Sequence, residues 1–83
     1  MEIEIIKFFG KGCGQCKAMD GILDAVLKER PEIKITPKDV ADNQPLVEEH
    51  DITTLPTLLI YKDGVLVDKL AGLKPKALIL KNI

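Results

Sequence analysis

The sequence predicts an α/β fold: a four-stranded mixed sheet in the order β-α-β-α-β-β-α, with helices on both faces. Three observations point there. Apolar residues switch between the two-residue spacing of strands and the three-to-four-residue spacing of helices. A helical stretch separates the first two strands, which makes that pair parallel. Asp63-Gly64, between two strand-like runs, is a strong hairpin signal and makes the last pair antiparallel.

Each element has its own warrant. Ile3-Glu4-Ile5-Ile6-Lys7-Phe8-Phe9 alternates as a strand. Lys17 to Arg30 reads as an amphipathic helix, with Met19, Ile22, Leu23 and Val26 on one face and Lys17, Asp20, Asp24 and Lys28 opposite. Pro31 stops it, and Ile33-Lys34-Ile35-Thr36 forms a short second strand. Asp42-Asn43 offers an N-cap, with Pro45 tolerated in the first turn, for a short helix through about His50. Thr57-Leu58-Leu59-Ile60-Tyr61 is a buried strand, and Lys62-Asp63-Gly64 turns it into Val65-Leu66-Val67. Gly72 ends that strand, and Pro75 opens a last helix, Lys76 to Asn82, whose Ala77-Leu78-Ile79-Leu80 run supplies its buried face and leaves room for a small dimer patch.

The 83 residues make one domain, 1–83, without room for a second core. Two Phe and one Tyr are the only aromatic residues, so Ile, Leu and Val must build the interior. The net charge is −1 with the signs interspersed, which excludes a basic nucleic-acid face. No apolar run approaches the roughly 18 residues that a membrane helix needs. Glu2 and Glu4 ahead of a short apolar stretch are the wrong charge order for a signal peptide, so the chain is expected in the cytoplasm. In that compartment a lone pair of cysteines is more often catalytic or metal-binding than a structural staple.

Those two cysteines stand in Cys13-Gly14-Gln15-Cys16, after a strand and a glycine loop and at the start of a helix. Thiols at this spacing can close into a small disulfide ring, and a helix N-terminus favours thiolate over thiol. This is the arrangement of a redox motif. A zinc site needs four ligands, and two Cys with one His do not supply them. Gly10-Lys11-Gly12-Cys13-Gly14 lacks the third glycine of a dinucleotide loop, since position 15 is Gln, and no Walker lysine-serine follows. His50 reads as a surface or packing residue at a helix end.

With these residues in view the chain resembles a minimal thioredoxin. Three separated features carry the likeness: Cys13-Gly14-Gln15-Cys16-Lys17 after the first strand, Asp51-Ile52-Thr53-Thr54-Leu55-Pro56-Thr57-Leu58 leading into the third, and Lys62-Asp63-Gly64 followed by Gly72. The likeness covers nearly the whole chain, although the additional N-terminal strand and helix of full-length thioredoxins are missing. Departures are specific. Gly12 replaces the family's Trp, Gln15 its proline between the cysteines, and Gly21 its helix-kinking proline. Lys7 replaces its buried carboxylate.

The resemblance implies a protein-disulfide reductase with Cys13 as nucleophile and Cys16 as resolving thiol. It implies a cis bond before Pro56 and substrate contacts from Gly12, Gly14, Gln15, Thr54, Leu55, Pro56 and Gly72, with the Leu55 backbone pairing to an extended peptide. No cofactor is expected beyond the redox-active disulfide, and the protein is expected to be a monomer. The expected partners are protein disulfides and a thioredoxin reductase or similar NADPH-linked flavoprotein, with neither nucleic acid nor membrane. A glutathione-linked glutaredoxin is the nearest alternative, but Gly72-Leu73-Lys74 lacks the acidic pair that holds glutathione in that family. A soft-metal carrier with C-x-x-C after its first strand is the alternative from another class. Its β-α-β-β-α-β order differs from the one read here. Lys7 alternates with Ile3, Ile5 and Phe9, so its stem should pack on an apolar face while its ammonium reaches water. A sharper expectation places Lys7 under the dithiol, where it stabilises thiolate by charge.

Overall fold

Alternation along the first strand decides how the molecule is layered. The computed structural model describes all residues, Met1–Ile83. In chain order it has β1 (Ile3–Phe9), α1 (Gly14–Glu29), β2 (Lys34–Asp39), a 3-10 turn (Val40–Asp42), α2 (Gln44–Glu49), β3 (Thr57–Lys62), β4 (Val65–Ala71) and α3 (Lys76–Lys81). The sheet order is β2-β1-β3-β4. β1 and β2 are parallel, with Ile5 beside Ile35, while β1–β3 and β3–β4 are antiparallel, with Ile5 beside Ile60 and Leu58 beside Leu70. The expected class, element order and strand directions agree with this architecture.

Successive residues of a strand face opposite sides of the sheet. Ile3 and Ile5 of β1, with Leu58 and Ile60 of β3, join Met19, Leu23 and Val26 of α1 and Ile79 of α3 in one buried cluster. Phe8 of β1 and Leu59 of β3 face the other way, with Ile52 behind α2 and with Leu46, Val47 and Leu55 packed around them. The two layers therefore bury α1 and α3 on one face and α2 on the other. Lys76 and Glu29, 2.6 Å apart, tie α3 to the end of α1.

α1, whose amphipathic stretch reads from Lys17, opens on the cysteine turn as expected, at Gly14 with Cys13 as its N-cap. Several boundaries differ from the sequence expectation. β2 starts one residue after Ile33 and runs through Pro37 to Asp39. It is an edge strand, where a proline without an N–H removes no ladder bond. Asn43 caps α2 by position only: its Nδ2 donates to the Asp39 carbonyl at 2.7 Å and makes no cap bond. β4 continues to Ala71, past a bulge that sets Tyr61 beside Leu66 and Ile60 beside Asp68. In α3 only Ile79 is fully buried; Leu78 and Leu80 are half-buried and Ala77 is exposed, so the apolar run is less buried than its composition suggested. The Asp63-Gly64 hairpin forms as expected, with φ of 51° and 82°, the left-handed pair that matches strand twist.

Candidate functional site: the Cys13–Cys16 turn and the Leu55-Pro56 loop

β1 ends at Phe9 and the chain turns through Gly10, Lys11 and Gly12, the last at φ 75°. Cys13 N–H donates to the Gly10 carbonyl at 3.3 Å, which closes the turn. Cys13 then takes extended backbone angles as N-cap of α1, and its Sγ accepts the Cys16 N–H at 3.1 Å. Ser, Thr, Asp and Asn usually fill this capping role. Here a cysteine does, so one backbone N–H and the positive end of a 16-residue helix both face its sulfur. Cys13 is half-buried, with exposed Gly12, Gly14 and Gln15 around it, whereas Cys16 is 3% exposed. The two form a disulfide with Cα atoms 5.3 Å apart, inside the ordinary range.

The second half of the site is the loop before β3. The Leu55-Pro56 peptide bond is cis. Pro56 is buried, Leu55 half-buried and Thr54 exposed. The Thr57 hydroxyl donates to the Thr54 carbonyl, and the Gly72 N–H donates to the Pro56 carbonyl at 2.7 Å. Leu55 is left with neither its N–H nor its C=O bonded to another backbone group.

Two glycines bring these pieces together. A Cβ on Gly10 would lie 2.8 Å from Leu55 Cδ1, so the absence of a side chain lets the cysteine turn pack on the loop. Gly72, at φ 87°, sits against Thr54, where a Cβ would be 3.9 Å from Thr54 Cγ2. The cysteine turn and the Thr54-Leu55 loop therefore meet, with Gly72 beside them and Pro56 buried beneath. Their meeting place is not a pocket. The molecule's recess, about 180 Å³ lined by Glu2, Ile3, Glu4, Lys34, Tyr61 and Gly64, lies at the opposite end of β1. Next to it, burial and then the Glu49 and Glu4 carboxylates hold the Tyr61 phenol above its usual value of 10.0.

The Lys7 ammonium does not reach water, contrary to the first expectation. Its side chain is 7% exposed, and Nζ donates to the Asp20 carboxylate while lying 5.3 Å from the Phe9 ring centroid. Asp20, expected on the polar face of the helix, keeps 59% of its side chain in water while turning an oxygen inward. Residues four apart are neighbours on a helix face, so Asp20, and Lys7 with it, lies one turn of α1 beyond Cys16. His50 stands apart from the cysteines, at the end of α2, with Nε2 3.0 Å from Glu49 Oε2.

The thioredoxin family profile matches residues 1–83. The chain belongs to the thioredoxin family. It is 34% identical over 79 residues to the thioredoxin of Chlamydia trachomatis serovar D, a match covering 95% of this chain and 78% of that one. Mitochondrial thioredoxin 3 of Saccharomyces cerevisiae, in its oxidised form, superposes with a TM-score of 0.85 at 30% identity, covering 96% of this chain and 76% of that one. A malarial protein at 22% identity shares the fold alone, with a TM-score of 0.84 over 100% of this chain and 99% of its own.

This thioredoxin-family member is a thiol–disulfide oxidoreductase with a C-x-x-C disulfide between Cys13 and Cys16. Its relatives do not favour the glutaredoxin alternative. The β-α-β-α-β-β-α order also differs from that of the soft-metal carriers. No group of three or more His, Cys, Asp and Glu is placed to hold a metal ion, and no helix is long and apolar enough to cross a membrane. Sequence reasoning missed the inward turn of Asp20 and the packing of Gly10 on Leu55. An acidic residue four after Cys16 was the only signal for the first, and the second left none.

Proposed function

We propose that Cys13 is the nucleophile and Cys16 the resolving thiol of a protein-disulfide reductase. The contrast that carries this reading is the half-buried, capped Cys13 beside the buried Cys16. In the reduced protein the Cys13 thiolate attacks one sulfur of a substrate disulfide, a mixed disulfide forms, and the first substrate thiolate leaves. Cys16 then loses its proton and attacks Cys13 Sγ. The Cys13–Cys16 bond closes, and the second substrate thiolate departs with the electron pair of the mixed disulfide. Two electrons have passed to the substrate, and the dithiol itself has carried them.

The helix terminus and the Cys16 N–H support the thiolate of Cys13. A thiol of pKa ~8.5 is about 3% ionised at pH 7, and one tuned to ~7 is about half ionised. Nucleophilicity falls with pKa at a slope of ~0.4–0.5, so the net gain in attack is only about threefold. The larger effect is that Cys13 becomes a better leaving group when Cys16 attacks it.

The unpaired N–H and C=O of Leu55 are suited to main-chain pairing with an extended segment of substrate, which reads peptide without demanding a side-chain sequence. Gly12, Gly14, Gln15, Thr54 and Gly72 form the shallow surface around it, over the buried cis Pro56. An NADPH-linked flavoprotein of the thioredoxin reductase kind returns the electrons. We take the protein to act in the cytoplasm as a monomer, the single domain 1–83.

Lys7 tunes this dithiol. Its buried ammonium lies on the α1 face one turn from Cys16, and the Asp20 carboxylate offsets part of its charge. Lys7→Met should therefore raise the pH midpoint of Cys13 alkylation, whereas an unchanged profile would sink the tuning role. Asp20 is mostly hydrated already, so the variant leaves no buried unpaired charge behind.

A further inference from the structure

Lys69 of β4 makes two contacts that the redox chemistry does not use. Its Nζ donates to the His50 carbonyl at 2.9 Å and to the Asp51 carbonyl at 3.0 Å. These carbonyls sit where α2 ends and the chain reverses: Asp51 is at φ 53°, and Ile52 N–H donates back to the Val47 carbonyl at 2.9 Å. A helix C-terminus leaves carbonyls without intrahelical partners, and a cation there is favoured by the helix dipole. Lys69 lies beside Leu59 in the β3–β4 register, on the face that α2 covers, which is why its side chain reaches that helix end. Two residues later in β4, after Leu70, comes Ala71, and then Gly72 donates to the Pro56 carbonyl. The segment from Asp51 to Pro56 is thus bonded to β4 and its extension at both ends.

We propose that Lys69 is a positioning residue for substrate binding: with Gly72 it clamps the 51–56 segment and so fixes the direction in which the Leu55 N–H and C=O present themselves. The proposal rests on the reading that the Leu55 backbone receives substrate. Gly72 holds the end beside the cis bond, and Lys69 holds the end that leaves α2. Without the ammonium, two helix-end carbonyls turn to water and the αL turn at Asp51 loses its hydrogen bonds to the sheet, keeping only the apolar packing of Ile52. Leu55 then samples orientations that do not pair with substrate. The thiols are untouched, so the electron-transfer chemistry does not change.

Lys69→Met keeps the aliphatic stem and removes the donor. Losing hydrogen bonds of this exposed kind corresponds to a threefold to tenfold effect. Hydrogen exchange of the Ile52 amide should speed up by that factor in the variant. KM for insulin, as a polypeptide disulfide, should rise by a similar factor at unchanged kcat. The rate with hydroxyethyl disulfide, which has no peptide backbone, should not move. Lys69→Arg should restore both. Unchanged Ile52 exchange, or an equal loss of rate with both disulfides, overturns the proposal. A synthetic chain with an ester in place of the Thr54–Leu55 amide removes the Leu55 N–H and separates the two readings. If the ester raises the insulin KM and Lys69→Met does not, the clamp is wrong and the Leu55 reading stands. If the ester leaves the insulin KM unchanged, the Leu55 reading falls, and the clamp has no substrate role with it.

Discussion

Cys16→Ser protein, reduced and mixed with a disulfide-bonded protein substrate, should accumulate a covalent adduct through Cys13, while Cys13→Ser protein should form none. The expectation follows from unequal burial. Cys13 is reachable and its sulfur faces the Cys16 N–H and the helix terminus, whereas Cys16 is 3% exposed and meets a substrate only through Cys13. Removing the nucleophile should cost at least about a thousandfold in turnover. Removing the resolving thiol should cost turnover similarly yet leave the first step intact, so the intermediate is trapped. Non-reducing electrophoresis and intact mass measurement distinguish the two. An adduct formed by Cys13→Ser and not by Cys16→Ser would reverse the assigned roles.

Phe8→Ala should destabilise the protein by about 3–5 kcal/mol, the usual cost of deleting a buried aromatic side chain. Domains of this size are stable by about 5–15 kcal/mol, so the variant should lose about a fifth or more of its urea midpoint. The face under α2 makes this residue critical. Its buried core is only Phe8, Ile52 and Leu59, with half-buried neighbours including Val47 and Leu55 around them. The opposite face has ten buried residues to share a comparable loss. Leu55 belongs to the smaller cluster, so a cavity at Phe8 also loosens the loop beside the disulfide. Val65→Ala, at a position 63% exposed, is the matched control and should change stability by less than about 0.5 kcal/mol. Equal midpoints for the two variants would mean that the α2 layer contributes little to the fold.

Features set by neighbours in sequence were readable from the chain. The β1 alternation, the Met19-Leu23-Val26 stripe, the Asp63-Gly64 turn and the Cys13–Cys16 spacing each depend on residues a few positions apart. Boundaries were less readable where one residue type permits two outcomes. Pro37 ends an interior strand but is tolerated on an edge strand, and only the sheet order reveals that β2 is an edge. That the cysteine turn opens a helix was readable, whereas the capping bond to Cys13 was not, because cysteine is not a common capping residue. Contacts between distant segments were the least readable. That Lys7 meets Asp20, that Gly10 meets Leu55 and that Lys69 reaches the end of α2 depend on how the layers stack, and composition carries no trace of it. For Lys7 the length of its side chain suggested escape to water. The closeness of α1 to the sheet decided otherwise.

The claim on which everything else depends is that Cys13 and Cys16 form a reversible couple poised to reduce protein disulfides. Equilibrating the protein with graded mixtures of reduced and oxidised dithiothreitol and glutathione, then counting free thiols by mass after alkylation, measures that poise directly. A potential near −270 mV, the value of thioredoxins, is expected. A potential near −120 mV, that of a dedicated oxidant, or the failure of Cys13 and Cys16 to close a disulfide at any ratio, would contradict it.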